Sequence, residues 1–70
     1  MLLQRQAAIA QGVPREKTLQ GKPWDLDVAS TVKREATNAA GNLRSSGNYH
    51  ARVIEAGNWY GVYVRLAHRA

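Results

Sequence analysis

The sequence predicts an α+β fold in which one main helix packs on a C-terminal antiparallel β-hairpin. Residues 48–67 contain two runs of alternating apolar and polar residues, separated by the dipeptide Gly57-Asn58. A two-residue connection with Gly first is a recognised signal for a tight hairpin. Residues 25–46 contain alanine and other apolar residues at helical spacing, which predicts a stripe that faces a core. A chain of 70 residues has room for a single small domain.

The N-terminal segment is predicted to be a short helix over residues 1–12, with a thin apolar stripe. Gly12 favours the end of this helix, and Pro14 suits the first turn of whatever follows. Residues 13–24 then form a connector. Within it, residues 17–20 read either as a helical turn or as a short strand. A strand there would make the sheet three-stranded, in the order β-α-β-β.

The main helix is predicted over residues 25–46. Asp25 or Asp27 can cap its start, where a carboxylate also favours the positive end of the helix dipole. Because glycine is unfavourable inside a helix, the helix either ends at Ala40 or continues to Ser46. The stripe that faces the core consists of Val28, Ala29, Val32, Ala36, Ala39, Ala40 and Leu43.

The register of the hairpin follows from its loop. With Gly57-Asn58 as the two loop residues, Ala56 lies opposite Trp59 and every other pair follows by counting outward. Strand alternation then places seven residues on one face, which we expect to pack on the alanine stripe of the helix. These residues are Tyr49, Ala51, Val53, Tyr60, Val62, Val64 and Leu66.

The second face of the hairpin, called the outer face below, mixes basic and aromatic side chains. It carries His50, Arg52, Ile54, Trp59, Tyr63 and Arg65. This mixture suits nucleic acid, because guanidinium groups contact phosphate and flat rings stack on bases. The alternative is that the N-terminal helix covers the outer face, so that Trp59 and Ile54 form a second small core while the arginine heads reach solvent. The candidate partner- or nucleic-acid-binding residues are Arg52, Arg65, Tyr63, Trp59, His50, Lys33 and Arg34.

Composition points to a polyanionic partner and away from catalysis. Ten Lys and Arg stand against five Asp and Glu, a net charge of +5. Such a charge favours nucleic acid, an acidic protein surface or anionic lipid. The chain lacks the grouped residues of a catalytic triad, a metal site or a nucleotide-binding loop. We therefore expect no enzymatic activity, no cofactor, no metal and no small-molecule substrate.

The remaining composition bears on location. The chain has no cysteine, which excludes disulfides and fits a reducing compartment. The N-terminal residues resemble neither a signal peptide nor a membrane span. The expectation is therefore a cytoplasmic protein that does not act on membranes.

The run "GNYHARVIEAGNWYGVYVR", preceded by "VASTVKREATNAAGNL", resembles small phage-encoded proteins in which one helix precedes a C-terminal hairpin. Some anti-CRISPR proteins are similar in build. The resemblance covers about residues 25–66 and rests on patterning. It implies a binding protein that acts, without catalysis, on nucleic acid or on a nucleic-acid-handling complex of the host.

The run "QAAIAQGVPREKTLQGK", residues 6–22, resembles a helix-turn-helix fragment. The resemblance implies a turn at Gly12 and a recognition helix that begins at Arg15. The sequence departs from the pattern in its spacing after the turn, and Gly21 and Pro23 shorten the second helix. A winged helix, with the long helix as reader and the hairpin as wing, is a related form.

Three functional hypotheses follow from these patterns. The first is direct contact with nucleic acid through the outer face. The second is inhibition or redirection of a host nucleic-acid-processing protein complex through the same residues. A DNA-binding regulator of the helix-turn-helix or winged-helix type is an alternative to it. The third is an oligomerisation module in which an edge strand pairs with the same strand of a second copy to form a homodimer.

Overall fold

The computed structural model describes residues 4–67. These residues form four strands and two helices: α1 Arg5–Ala10, β1 Glu16–Leu19, β2 Lys22–Ser30, α2 Lys33–Ser45, β3 Tyr49–Ala56 and β4 Trp59–Leu66. The strands make one antiparallel sheet in the order β1-β2-β4-β3. Helix α2 packs on one face, called the inner face, and α1 packs on part of the outer face.

The predicted hairpin is confirmed, with its register. Ala56 pairs with Trp59, Val53 with Val62 and Tyr49 with Leu66. Gly57 has a φ of 60°, as the first central residue of a type II′ turn requires. The outer and inner faces of β3 and β4 therefore carry the residues that the sequence assigned to them.

The prediction of a main helix over residues 25–46 is wrong for its first part. The predicted sheet of two or three strands is wrong for the same reason. Residues 22–30 form β2, which lies inside a four-stranded sheet between β1 and β4. Trp24, Leu26 and Val28 alternate with aspartates, and this alternation is typical of a β-strand. A bulge between Leu26 and Val28 then shifts the register, so that Leu26 faces α1 and Val28 faces α2.

Helix α2 begins at Lys33 after the N-cap residue Val32, which makes no side-chain capping bond, and Ser30 links the segment before the helix to its first turn. The Ser30 hydroxyl accepts a hydrogen bond from the backbone N–H of Val32 at 3.0 Å and donates one to Oε1 of Glu35 at 2.8 Å. Asp25 and Asp27, the predicted caps, lie exposed in β2. The helix continues past Gly41 to Ser45 and stops before Gly47, whose φ of 78° no helix accepts.

The first two strands form a second hairpin. Gln20 and Gly21 both have positive φ, 54° and 78°, as a two-residue type I′ turn requires. Residues 16–19 are therefore a strand, the second of the two alternatives that the sequence left open. Within residues 4–67 no helix begins at Arg15, so the second helix that the helix-turn-helix resemblance implies is not formed.

The inner face holds the core that the sequence predicted for it. Ala36 and Ala40 of α2 are fully buried against Ala51, Val62 and Val64 of the hairpin. Alanines at the contact allow the helix to lie close to the sheet. The end of this face is open, since Leu66 is 63% exposed.

The outer face holds a second core beneath α1 and the segment after it, which is the arrangement offered above as the alternative to an open face. Ala8 packs with Trp59 and Tyr63, all of them buried. The indole Nε1–H of Trp59 donates to Oε1 of Gln11 at 3.0 Å, and the Tyr63 hydroxyl donates to the Pro14 carbonyl at 2.7 Å. Burial raises the pKa of Tyr63 above its ordinary value of 10.0.

Gly61 allows the Tyr63 ring to lie on the sheet. A Cβ at this position would stand 2.9 Å from Cε1 of Tyr63 and 3.0 Å from Cδ1 of Leu26. We expect Gly61→Ala to lower the free energy of unfolding by about 1–3 kcal/mol, because the buried ring has to move. Chemical denaturation followed by circular dichroism measures this change.

Gly41→Ala is the matched control for that substitution. Gly41 lies inside α2, and an added Cβ there meets nothing within 4 Å. Since alanine is the better helix former by roughly 1 kcal/mol, this variant is expected to be more stable than the natural protein. Equal effects of the two substitutions would contradict the close packing at Gly61.

Candidate functional site

Helix α1 leaves the far part of the outer face uncovered, and side chains from all four strands meet there. Lys17 of β1 pairs with Trp24 of β2, and His50 of β3 pairs with Arg65 of β4. Because Asp25 pairs with Val64, Trp24 and Arg65 are neighbours in the same row. Arg52 belongs to the next row. We call these five residues the Trp24 patch: Lys17, Trp24, His50, Arg52 and Arg65.

Trp24 lies at the centre of the patch, beneath basic side chains. Its side chain is only 6% exposed. The guanidinium carbon Cζ of Arg52 lies 5.6 Å from the centroid of the indole, and Cζ of Arg65 lies 5.5 Å from it. The His50 ring is 6.4 Å away and tilted by 51°. Attraction between cations and the indole ring favours this position of each arginine head.

Two hydrogen-bond donors in the patch have no partner among the described residues. The indole Nε1 of Trp24 and the guanidinium Nε of Arg65 are both buried without an acceptor. Most buried polar groups in proteins are hydrogen-bonded, so an unpaired donor calls for an explanation. In the same part of the chain, neither Arg52 nor Arg65 forms an ion pair. The patch therefore offers two unpaired donors and positive charges that no carboxylate among the described residues neutralises.

Charge is divided between the two faces of the sheet. The regular outer positions of the strands carry the basic side chains Lys17, Lys22, Arg52 and Arg65. The regular inner positions carry the acidic side chains Glu16, Asp25 and Glu55. Asp27 lies at the bulge, and no regular outer position of the four strands holds an acidic residue. The outer face therefore attracts anions more strongly than the net charge alone indicates.

A second group of basic side chains lies beside α1. Arg5 and Arg15 line an open cleft of about 340 Å³ together with Gln6, Ile9 and Ala10. The Arg5 Nε–H donates to the Leu26 carbonyl at 2.8 Å, which fixes the stem of this arginine at the edge of β2. Basic groups thus lie on both sides of the buried outer core.

The structure separates the residues that the sequence proposed as one site. His50, Arg52 and Arg65 come together in the Trp24 patch. Trp59 and Tyr63 are buried under the N-terminal segment, with 6% and 0% exposure. Lys33 and Arg34 are exposed in the first turn of α2, on the other side of the sheet.

Sequence reasoning missed Trp24 and Lys17. The sequence places Trp24 in the predicted connector and leaves its partner strand, residues 17–20, undecided. The signal that could have found it is the alternation "WDLDV", residues 24–28, which follows a turn at Gln20-Gly21. A second hairpin next to the first would have placed Trp24 on a sheet face.

Neither helix of residues 4–67 is long and apolar enough to cross a bilayer. No group of three or more His, Cys, Asp or Glu side chains in this part of the chain is placed to hold a metal ion. The chain matches no protein-family model, no curated protein and no solved structure.

Proposed function

We propose that this protein binds nucleic acid through the uncovered part of its outer face, without catalysis. The observation that carries the proposal is the division of charge across the sheet. Lys17, Lys22, Arg52 and Arg65 share one face, and no regular position of that face is acidic. A surface that collects positive charge from four strands fits the regular negative charge of a phosphate backbone.

The geometry favours contact with phosphates over the reading of bases. The aromatic side chains of the outer face, Trp24, Trp59 and Tyr63, are all buried, so none offers an exposed ring on which a base could stack. Lys22, His50 and Arg52 are exposed, and Lys17 and Arg65 are half-buried. Contacts to phosphate position a protein on nucleic acid but carry no sequence information. Binding is therefore expected to depend weakly on base sequence.

Salt dependence tests this proposal. Fluorescence anisotropy is measured with labelled single-stranded oligonucleotides of equal length and unrelated sequence, over a series of salt concentrations. Four phosphate contacts predict that log K falls with log salt at a slope of about −3 for single strands. The two sequences should give similar constants. Three results would each contradict the proposal: an affinity that does not change with salt concentration, a strong preference for one sequence, or no binding at low salt.

A further inference from the structure

We infer that the Trp24 patch contains a seat for one phosphoryl group, held between the guanidinium groups of Arg52 and Arg65 and completed by the buried donors beside them. This inference rests on the proposed function in its choice of ligand, since a nucleic acid supplies phosphoryl groups. It goes further than that function, because it assigns one binding site with a defined set of donors. Charge alone predicts only a diffuse attraction of anions to the whole outer face.

The first argument is the position of the two arginines. Both Cζ atoms lie within 5.6 Å of the same indole centroid, and the tryptophan that carries it is only 6% exposed. Like charges held together repel each other, more strongly where water is partly excluded. Among residues 4–67 neither arginine has a carboxylate partner to reduce that repulsion. An anion bound between the two heads reduces it.

The second argument is independent of charge and concerns hydrogen bonds. Nε1 of Trp24 and Nε of Arg65 are both donors, and both are buried without an acceptor in the described part of the chain. The other indole of the protein is the contrast, since Nε1 of Trp59 is paired with Gln11 at 3.0 Å. Neither donor finds an acceptor in the described part of the chain. Because both atoms are buried, an oxyanion reaches them only when the arginine heads over the indole move aside.

The number and arrangement of donors favour phosphoryl oxygens over a carboxylate. A carboxylate has two oxygens in one plane. A phosphoryl group directs its oxygens tetrahedrally, so it can meet two guanidinium forks and a further N–H from different directions. Lys17 and His50 stand on either side of Trp24 and Arg65 in the same row; Lys17 adds positive charge and the His50 ring adds a further N–H donor. The ligand class is therefore a phosphate. A terminal monoester offers three unesterified oxygens to these donors and fits them best, and an internal diester offers two.

The test is a titration of the full chain with inorganic phosphate, at constant ionic strength, followed by ¹H–¹⁵N correlation spectra. The Trp24 indole signal and the Arg65 Nε–H signal should shift saturably. The Trp59 indole signal is the internal reference and should stay in place, because its donor is already paired. Trp59→Phe assigns the two indole signals. A Trp24 signal that does not move, or two indoles that move equally, would overturn the seat.

Further arms identify the ligand. Methyl phosphate represents a chain end and dimethyl phosphate an internal position, and a saturable shift with either supports the seat and names its source. Acetate at the same ionic strength is the counter-ligand. If acetate or an acidic peptide shifts the Trp24 signal as strongly as phosphate does, the site binds any anion without selecting phosphate, and the inference is wrong.

Matched variants separate the seat from general charge. Arg52→Gln keeps most of the stem over the indole and removes the guanidinium, so phosphate affinity should fall roughly tenfold or more. Arg44→Gln makes the same change at an exposed position on α2, across the sheet, and should leave the affinity unchanged. Equal losses in the two variants would contradict a defined seat.

The outcome also separates this inference from the proposed function. If oligonucleotides bind with the expected salt slope but phosphate leaves the Trp24 signal in place, the seat is wrong and the general interface stands. If phosphate shifts the Trp24 signal but no oligonucleotide binds, the seat stands and the proposed function is wrong.

Discussion

Val62→Asp is expected to unfold the protein at room temperature. Val62 is fully buried at the centre of β4, with Val28 on one side and Val53 on the other, in the core that α2 covers. An unpaired carboxylate at this depth costs several kcal/mol. A single core of this size rarely supplies more than about 3–5 kcal/mol. Circular dichroism should therefore show loss of the cooperative thermal transition.

Leu66→Asp is the control for that experiment, because it makes a similar change on the same strand. Leu66 belongs to the same inner face of the sheet as Val62, but it is 63% exposed. Substitutions at such positions usually change stability by less than about 0.5 kcal/mol. A Val62→Asp protein that melts like Leu66→Asp would contradict the central place of β4 in the sheet.

The hairpin could be predicted from the sequence because its determinants are local. Gly57 at the first turn position sets the loop, the loop sets the register, and the register sets both faces. Each step involves residues close together in the chain. The alanine stripe of α2 was predictable for the same reason, since Ala36 and Ala40 repeat at helical spacing.

Strand β2 could not be predicted in the same way, because two readings of its sequence compete. Asp25 and Asp27 fit a helix start, and Val28 and Ala29 fit the stripe of a helix that does begin a few residues later. What decides in favour of the strand is its partner: Ala29 pairs with Gly61, far away in the chain. The bulge after Leu26 then hides the alternation by changing the face of the residues that follow.

The candidate site was half predictable for this reason. The hairpin register places Arg52, Arg65 and His50 on one face without further information. Trp24 and Lys17 lie on that face only because β1 and β2 join the sheet. The sequence alone therefore does not predict that Trp24 forms the centre of the patch. Whether Trp59 was covered also stayed open, because alternation shows that a face is apolar but not which segment packs on it.

The largest functional effect is expected from the double substitution Arg52→Gln/Arg65→Gln. Both changes remove a guanidinium that lies near the indole of Trp24 and keep the first two methylene groups of the side chain. Charge-assisted hydrogen bonds contribute about 1.5–3 kcal/mol each, so the loss of both should lower oligonucleotide affinity by roughly a hundredfold or more. Circular dichroism should remain that of the natural protein.

The control is Arg34→Gln/Arg44→Gln, which removes the same charge by the same chemical change. Both arginines are exposed on α2, across the sheet from the Trp24 patch. Arg34 is also a candidate contact on the sequence alone, so this control tests that prediction as well. It should retain most of the affinity and lose only the small contribution of total charge.

The most direct measurement is the ratio of oligonucleotide affinities of these two double variants, by anisotropy at one fixed salt concentration. An outer-face interface predicts that Arg34→Gln/Arg44→Gln binds at least about tenfold more tightly than Arg52→Gln/Arg65→Gln, since only the latter removes direct phosphate contacts. A ratio near one, with both proteins folded, would show that only total charge matters and would contradict the interface proposed around Trp24.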